Sequence, residues 1–104
     1  MNITITSHAR KRIYERKRIR KKPLEEDVKK AWYRGIPQNS KQPGVEEILG
    51  KYEKEARIYD NFIYLFEKQN NEVTLVTLLY LPRKFKGIQN KKKKASKNYI
   101  NRKI

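Results

Sequence analysis

The chain has no cysteine and a single histidine, His8. Neither a disulfide framework nor a thiolate metal site is therefore available, and a Cys/His zinc site is excluded as well. Glycine and proline are scarce, at four each. No phosphate-cradling Gly-rich loop, no nucleophile elbow and no metal-binding cluster of acids can be found, so no cofactor and no metal is expected. Long apolar runs are missing too. A membrane span needs roughly 20 such residues, whereas the longest stretch here, around Leu75 to Leu81, is interrupted by Thr77. The first residues contain no apolar region of a signal peptide, and a cytoplasmic protein without a membrane partner is expected.

Acidic residues are also few: 11 Asp and Glu stand against 27 Lys and Arg, a formal charge of +16 in 104 residues. Residues 1–22 carry nine Lys and Arg and one acid, and residues 83–104 carry ten Lys and Arg and no acid, which leaves the centre at −2. A nearly neutral body between two basic ends suits a folded domain whose edges meet a polyanion. A chain of this length has room for one core. The expected organisation is a domain over 1–82 and a basic tail over 83–104.

Asn2 to Thr6 is rich in β-branched residues and predicts a short strand. Ser7 is placed to cap a helix over His8 to Arg18, whose apolar stripe is thin, only Ala9 and Ile13. Arg10, Lys11 and Arg12 crowd the positive end of that helix dipole, and Arg12 and Arg16 form a like-charge pair four residues apart. Cations placed against local stability point to a use elsewhere. Pro23 restarts the chain, and a second helix opens at Leu24 with Glu25, Glu26 and Asp27 at its start, a core stripe of Leu24, Val28, Ala31 and Trp32, and Gly35 as its stop. Ile36 to Gly44 reads as a loop, and Val45 to Gly50 fits helix or strand equally. From Lys54 onward the period becomes two, predicting strands over Glu55–Tyr59, Phe62–Lys68 and Val73–Leu81, with Asn70-Asn71 turning between the last two. These two are apolar at nearly every position and should lie centrally with both faces covered. Pro82 ends the sheet. The tail, with Lys91, Lys92, Lys93 and Lys94, is expected to be disordered by itself. The fold class is α+β, in the order β-α-α-β-β-β, with a mostly antiparallel sheet.

On a helical wheel His8, Arg12 and Arg16 form one row beside the buried stripe, at the boundary of core and solvent. Cleavage of RNA through its 2′-hydroxyl needs a base, cations on the crowded phosphate and an acid for the leaving oxygen. His8 has the titration range for acid/base work. Arg12, Arg16 or Arg57 can hold phosphate by two parallel hydrogen bonds, and Thr77 and Tyr80 supply hydroxyls. Arg10, Lys11, Arg18, Arg20, Arg57 and the Lys91–Lys94 run are the expected backbone-binding cations. Trp32 reads as core. Tyr52, Tyr59 and Tyr64 are possible stacking surfaces, although strand tyrosines usually serve packing.

The spacing His8-Ala9-x-x-Arg12-Ile13-x-x-Arg16, then Glu26-Asp27-Val28-x-x-Ala31-x-x-x-Gly35 and Val76-Thr77-x-x-Tyr80, resembles small RelE-like domains that open with His-Ala-x-x-Arg-x-x-x-Arg. The resemblance covers roughly residues 5 to 82. It implies the fold shared by barnase, EndoU, colicin and RelE ribonucleases, with His8, Arg12, Arg16, Thr77 and Tyr80 as the suspected catalytic set. Two departures stand out. Arg16-Lys17-Arg18-Ile19 replaces the usual Arg-Gly-Ile, and an extra residue separates Thr77 from Tyr80, which in a regular strand would send Tyr80 to the opposite face.

Three functions fit these features. The first is a toxin-like, metal-independent endoribonuclease acting on free or ribosome-associated RNA. The second is a non-catalytic RNA- or DNA-binding accessory protein of a phage or mobile element. In the third, the basic ends bind an acidic protein such as an antitoxin or inhibitor.

Overall fold

The computed structural model describes residues 2–85. Their fold is α+β: β1 (Asn2–Ile5), α1 (Ser7–Lys17), α2 (Lys21–Arg34), β2 (Ile36–Pro37), α3 (Val45–Leu49), β3 (Glu55–Tyr59), β4 (Phe62–Gln69), β5 (Glu72–Tyr80) and a 3₁₀ turn at Arg83–Phe85. The sheet order is β1-β5-β4-β3-β2. β1 runs parallel to β5, and every other pair is antiparallel. The run Lys91–Lys94 lies outside the described residues.

The two apolar strands are central, as their composition predicts. One face packs against α1 and α2 through Ala9, Ile13, Leu24, Val28 and Ala31, which meet Tyr64, Phe66, Val73, Leu75 and Leu78. The other gathers Val45, Ile48 and Leu49 of α3 with Ala56, Ile58, Ile63, Leu65 and Leu81. Two elements exceed the order expected from sequence. Ile36–Pro37, expected as loop, pairs with Ile58 and Arg57 as an edge strand; a proline is tolerated there because an outer edge needs no amide donor. The ambiguous segment is the short helix α3, which places three apolar side chains on the second face.

Local chemistry corrects three other expectations. Thr6, and not Ser7, caps α1: its backbone is extended and its hydroxyl accepts from the Ala9 amide at 3.0 Å. Ser7 is already helical, so its oxygen sits one residue too late. α2 begins at Lys21, a turn earlier than expected, because Pro23 falls among the first amides that need no intrahelical acceptor. Its first turn is therefore basic, and Glu25, Glu26 and Asp27 lie in the second. Gly35 does end α2, but with φ −66° and ψ 157°, so left-handed freedom is irrelevant. A β-carbon there would stand 2.4 Å from the Ala31 carbonyl oxygen and 2.9 Å from Arg57 Cβ, and only glycine lets β3 approach so closely.

Hairpin turns follow the asparagines. Asp60 and Asn61, both at positive φ, connect β3 to β4, and Asn70 with φ 55° starts the turn into β5. Paired positive φ matches the strand twist in a two-residue hairpin.

The polar centre of the fold is Lys17. Its side chain is 9% exposed, and Nζ lies 2.6 Å from Asp27 Oδ1 and 2.9 Å from Asp60 Oδ2. It also donates to Tyr64 Oη at 2.9 Å, while the Tyr64 hydroxyl donates to Asp27 Oδ2 at 2.6 Å. An ammonium has three N–H donors, and here each has a partner. The rings of Tyr59, Phe62 and Tyr64 surround it at 5.5–5.7 Å. Burial, followed by the adjacent Asp27 carboxylate, pushes the Tyr64 phenol far above its usual range. The phenol therefore stays protonated and available as a donor. Removing one partner of a buried ion pair strands the other. Lys17→Met should lower unfolding free energy by about 3 kcal/mol, against under about 1 kcal/mol for Lys54→Met at the exposed Lys54–Glu67 pair, both read by urea titration.

Candidate functional site

β1 stops pairing with β5 at Leu75. Beyond that point the outer edge of β5 faces α1 and its cap residue Thr6, which meet it with one backbone amide and with side chains. The Thr6 amide donates to the Leu75 carbonyl at 3.2 Å, the Thr6 hydroxyl to the Val76 carbonyl at 3.2 Å, and Arg16 Nη1 to the Leu78 carbonyl. An edge that would otherwise present unpaired carbonyls is thus closed by a helix.

Successive carbonyls at Leu75 and Val76 turn the same way because β5 is bulged. Phe66 pairs with Leu75 and Leu65 with Thr77, so Val76 is an extra residue. A bulge bends the strand and re-aims its side chains. Before it the odd-numbered Val73 and Leu75 pack beneath α1 and α2; after it the even-numbered Leu78 does so, while Leu79 and Leu81 join the α3 side. The extra residue between Thr77 and Tyr80 does not take Tyr80 away from α1, since the guanidinium of Arg16 lies 4.6 Å from its ring centroid. Phe62 supports the same ring at 5.4 Å between centroids. Thr77 still reaches the start of α1, where its Oγ1 lies 3.2 Å from Nε2 of the exposed His8.

Four of the five suspected catalytic residues therefore line one seam: His8 with Thr77 at one end, Arg16 with Tyr80 at the other. Arg12 belongs to the same helical row but reaches Glu15 at 3.0 Å instead. Both partners are about two-fifths exposed, and such a pair exchanges readily for a phosphate. Arg16 commits one of five guanidinium N–H groups to Leu78. The remainder can face a ligand. The seam thus offers an imidazole, a hydroxyl, guanidinium donors and an exposed aromatic ring along one strand edge.

The other expected cations are dispersed. Arg10 is held by Glu25 at 3.4 Å on the α2 side. Lys11 is exposed, and Arg18 and Arg20 lie over Tyr14 at the turn between the helices. Arg57 is on β3, two strands from β5. It bonds to Glu55 at 3.2 Å and stacks 4.3 Å from the Trp32 ring centroid, so it does not join the seam. Trp32 packs edge-on against Phe66 at 5.0 Å, as its stripe predicts. Tyr64 is fully buried and Tyr59 packs on the core, while Tyr52 packs on the α3 cluster.

The residue that the sequence reading passed over is Lys17. Its signal was spacing: Ala9, Ile13 and Lys17 repeat every four residues, so the lysine continues the buried stripe. Tyr14 was also missed, since nothing in a single exposed helix tyrosine marks it before Arg18 and Arg20 are seen to close on it.

Comparison with protein-family models, curated proteins and solved structures finds no match. The chemistry of the seam must carry the functional reading. Among the described residues no helix is long and apolar enough to cross a membrane.

Because Arg16 closes the edge of β5, Arg16→Ala should cost about 1 kcal/mol of stability, the scale of one partly solvated hydrogen bond. His8→Ala, at an exposed position, should stay within about 0.5 kcal/mol. Paired thermal melts check the ordering.

Proposed function

We propose that the protein binds RNA across the α1–β5 seam and cleaves it without a metal, as a small toxin-like endoribonuclease of RelE-like type. The observation that carries this reading is the meeting of His8 Nε2 and Thr77 Oγ1 at 3.2 Å on the edge that also holds Arg16 against Tyr80. The rest is electrostatics: a +16 chain attracts a polyanion from a distance, and guanidinium donors bind phosphate more strongly than neutral groups do.

In the proposed reaction His8 takes the proton from a ribose 2′-hydroxyl, whose oxygen attacks the adjacent phosphorus. Arg16 and Arg12 stabilise the charge gathering on the phosphate oxygens. The bond from phosphorus to the 5′-oxygen breaks, and the Tyr80 hydroxyl supplies the leaving oxygen with its proton. The products are a 2′,3′-cyclic phosphate and a 5′-hydroxyl. Solvent then takes the proton from His8 and restores that of Tyr80. Thr77 orients the imidazole through its hydroxyl.

A second reading, RNA or DNA binding without cleavage, is favoured by one observation: Arg16 already has structural work, bonded to the Leu78 carbonyl and stacked on Tyr80. Cleavage of labelled RNA in excess EDTA separates the two. The enzyme reading expects cyclic-phosphate ends and a fall of at least about 10²-fold in His8→Ala, the usual scale of general-base loss, with RNA binding unchanged. If the wild type binds RNA and leaves it intact, the protein is a binding module.

A further inference from the structure

Some of the described cations are paired with acids and others are not. Arg10, Arg12, Lys17, Lys54, Arg57 and Lys84 each contact a carboxylate. At the corner between α1 and α2 the unpaired ones cluster. Arg18, Arg20, Lys21 and Lys22 stand within five residues, and among the described residues none has an acidic partner. Arg18 and Arg20 turn instead toward Tyr14, with guanidinium carbons 5.7 and 5.2 Å from its ring centroid. That ring is 39% exposed. Placing two guanidinium groups on one exposed aromatic ring, with two lysines alongside, raises the local positive potential.

The backbone at this corner is unusual as well. Arg18 and Lys21 both have φ 60°, a left-handed conformation that side chains with a β-carbon adopt at a cost. Glycine or asparagine would fill either position with less strain. The two turns reverse the chain sharply and keep Arg18 and Arg20 beside Tyr14. Elsewhere Arg16 lies over Tyr80 in the seam and Lys51 over Tyr52, while Lys17 is buried among its rings and Arg57 and Lys84 are paired with carboxylates; among the described residues Tyr14 alone carries two guanidinium groups on one ring.

We infer that this corner is a second RNA-binding subsite, a sequence-tolerant clamp in which Arg18, Arg20, Lys21 and Lys22 hold the phosphates of a single strand while a base stacks on the Tyr14–arginine assembly. It rests on the nucleic-acid reading above and extends it, because none of these residues belongs to the α1–β5 seam. Guanidinium forks match phosphate geometry. Unstacked bases settle on aromatic rings and on guanidinium planes alike, which favours single strands over a duplex, whose bases are already stacked. An acidic polypeptide satisfies the charge but has no use for the stacking surface.

The test is fluorescence anisotropy of the full chain with a labelled, 2′-O-methylated single-stranded RNA, followed as salt rises. Each phosphate contact on a single strand contributes about 0.7 to the slope of log affinity against log salt. The variant Arg18→Asn/Arg20→Gln, in which asparagine suits the left-handed backbone, should flatten that slope by about 1.4 and weaken binding about tenfold. Lys29→Gln/Lys30→Gln, removing equal charge two turns along α2, should leave the slope unchanged. Tyr14→Leu should bind about fivefold more weakly, and Tyr14→Phe should bind like the wild type. Arg20→Gln alone, at an exposed residue whose side chain does not cap the helix, gives the same direction if Arg18→Asn compromises folding.

An unchanged slope in the corner variants, with the wild type still binding, overturns the clamp and leaves the nucleic-acid reading intact. Equal losses at the corner and at Lys29/Lys30 overturn it also, since they mean diffuse charge. Displacement by polyglutamate that depends on the same arginines assigns the corner to an acidic polypeptide instead. No RNA binding by the wild type overturns both readings together.

Discussion

The Lys17 ammonium is the interaction on which the rest of the structure depends. It lies at the end of α1, receives a carboxylate from α2 and another from the β3–β4 turn, and bonds the phenol of a central strand. One buried charge therefore fixes the positions of two helices relative to the sheet. A buried ion pair is poor evidence for net stability, because desolvation offsets much of its Coulomb attraction. Its value here is geometric. With α1 anchored at its C-terminal end by Lys17 and at its N-terminal end by Thr6, the helix has one place to lie along β5, and the seam follows from that.

The same anchoring resolves a conflict in α1. The helix has little to bury, Ala9 and Ile13, and cations where its dipole is already positive. Side-chain contacts compensate: Glu15 pairs with Arg12 within the helix and Glu25 of α2 with Arg10, Arg16 closes the edge of β5, and Lys17 enters the core. The corner at Arg18 to Lys22 gathers, within five residues, four cations without acidic partners among the described residues.

Much of this was legible in the sequence, for reasons that can be named. Alternation and apolarity identified β3, β4 and β5, and their continuous hydrophobicity placed the last two centrally. The stripe of Leu24, Val28 and Ala31 and the row of His8, Arg12 and Arg16 followed from helical periodicity. What escaped depended on distant partners. A two-residue strand such as Ile36–Pro37 carries no period. The bulge at Val76 is a register event between strands, invisible in either one alone, and it alone decides that Tyr80 stays beneath Arg16. The burial of Lys17 could be suspected from its spacing to Ala9 and Ile13, yet in so basic a chain it passed for one more surface cation. Lys91–Lys94, expected to bind backbone phosphates, lie beyond the described residues.

The central claim is that RNA lies along the α1–β5 seam. Nuclear magnetic resonance of side chains tests it most directly, following the His8 ring, the Arg16 guanidinium and the Thr77 methyl as non-cleavable 2′-O-methyl RNA is added. The account predicts that these three shift together and saturate at the same RNA concentration as global binding. Saturable binding that leaves all three unmoved, with shifts confined to other surfaces, would contradict it.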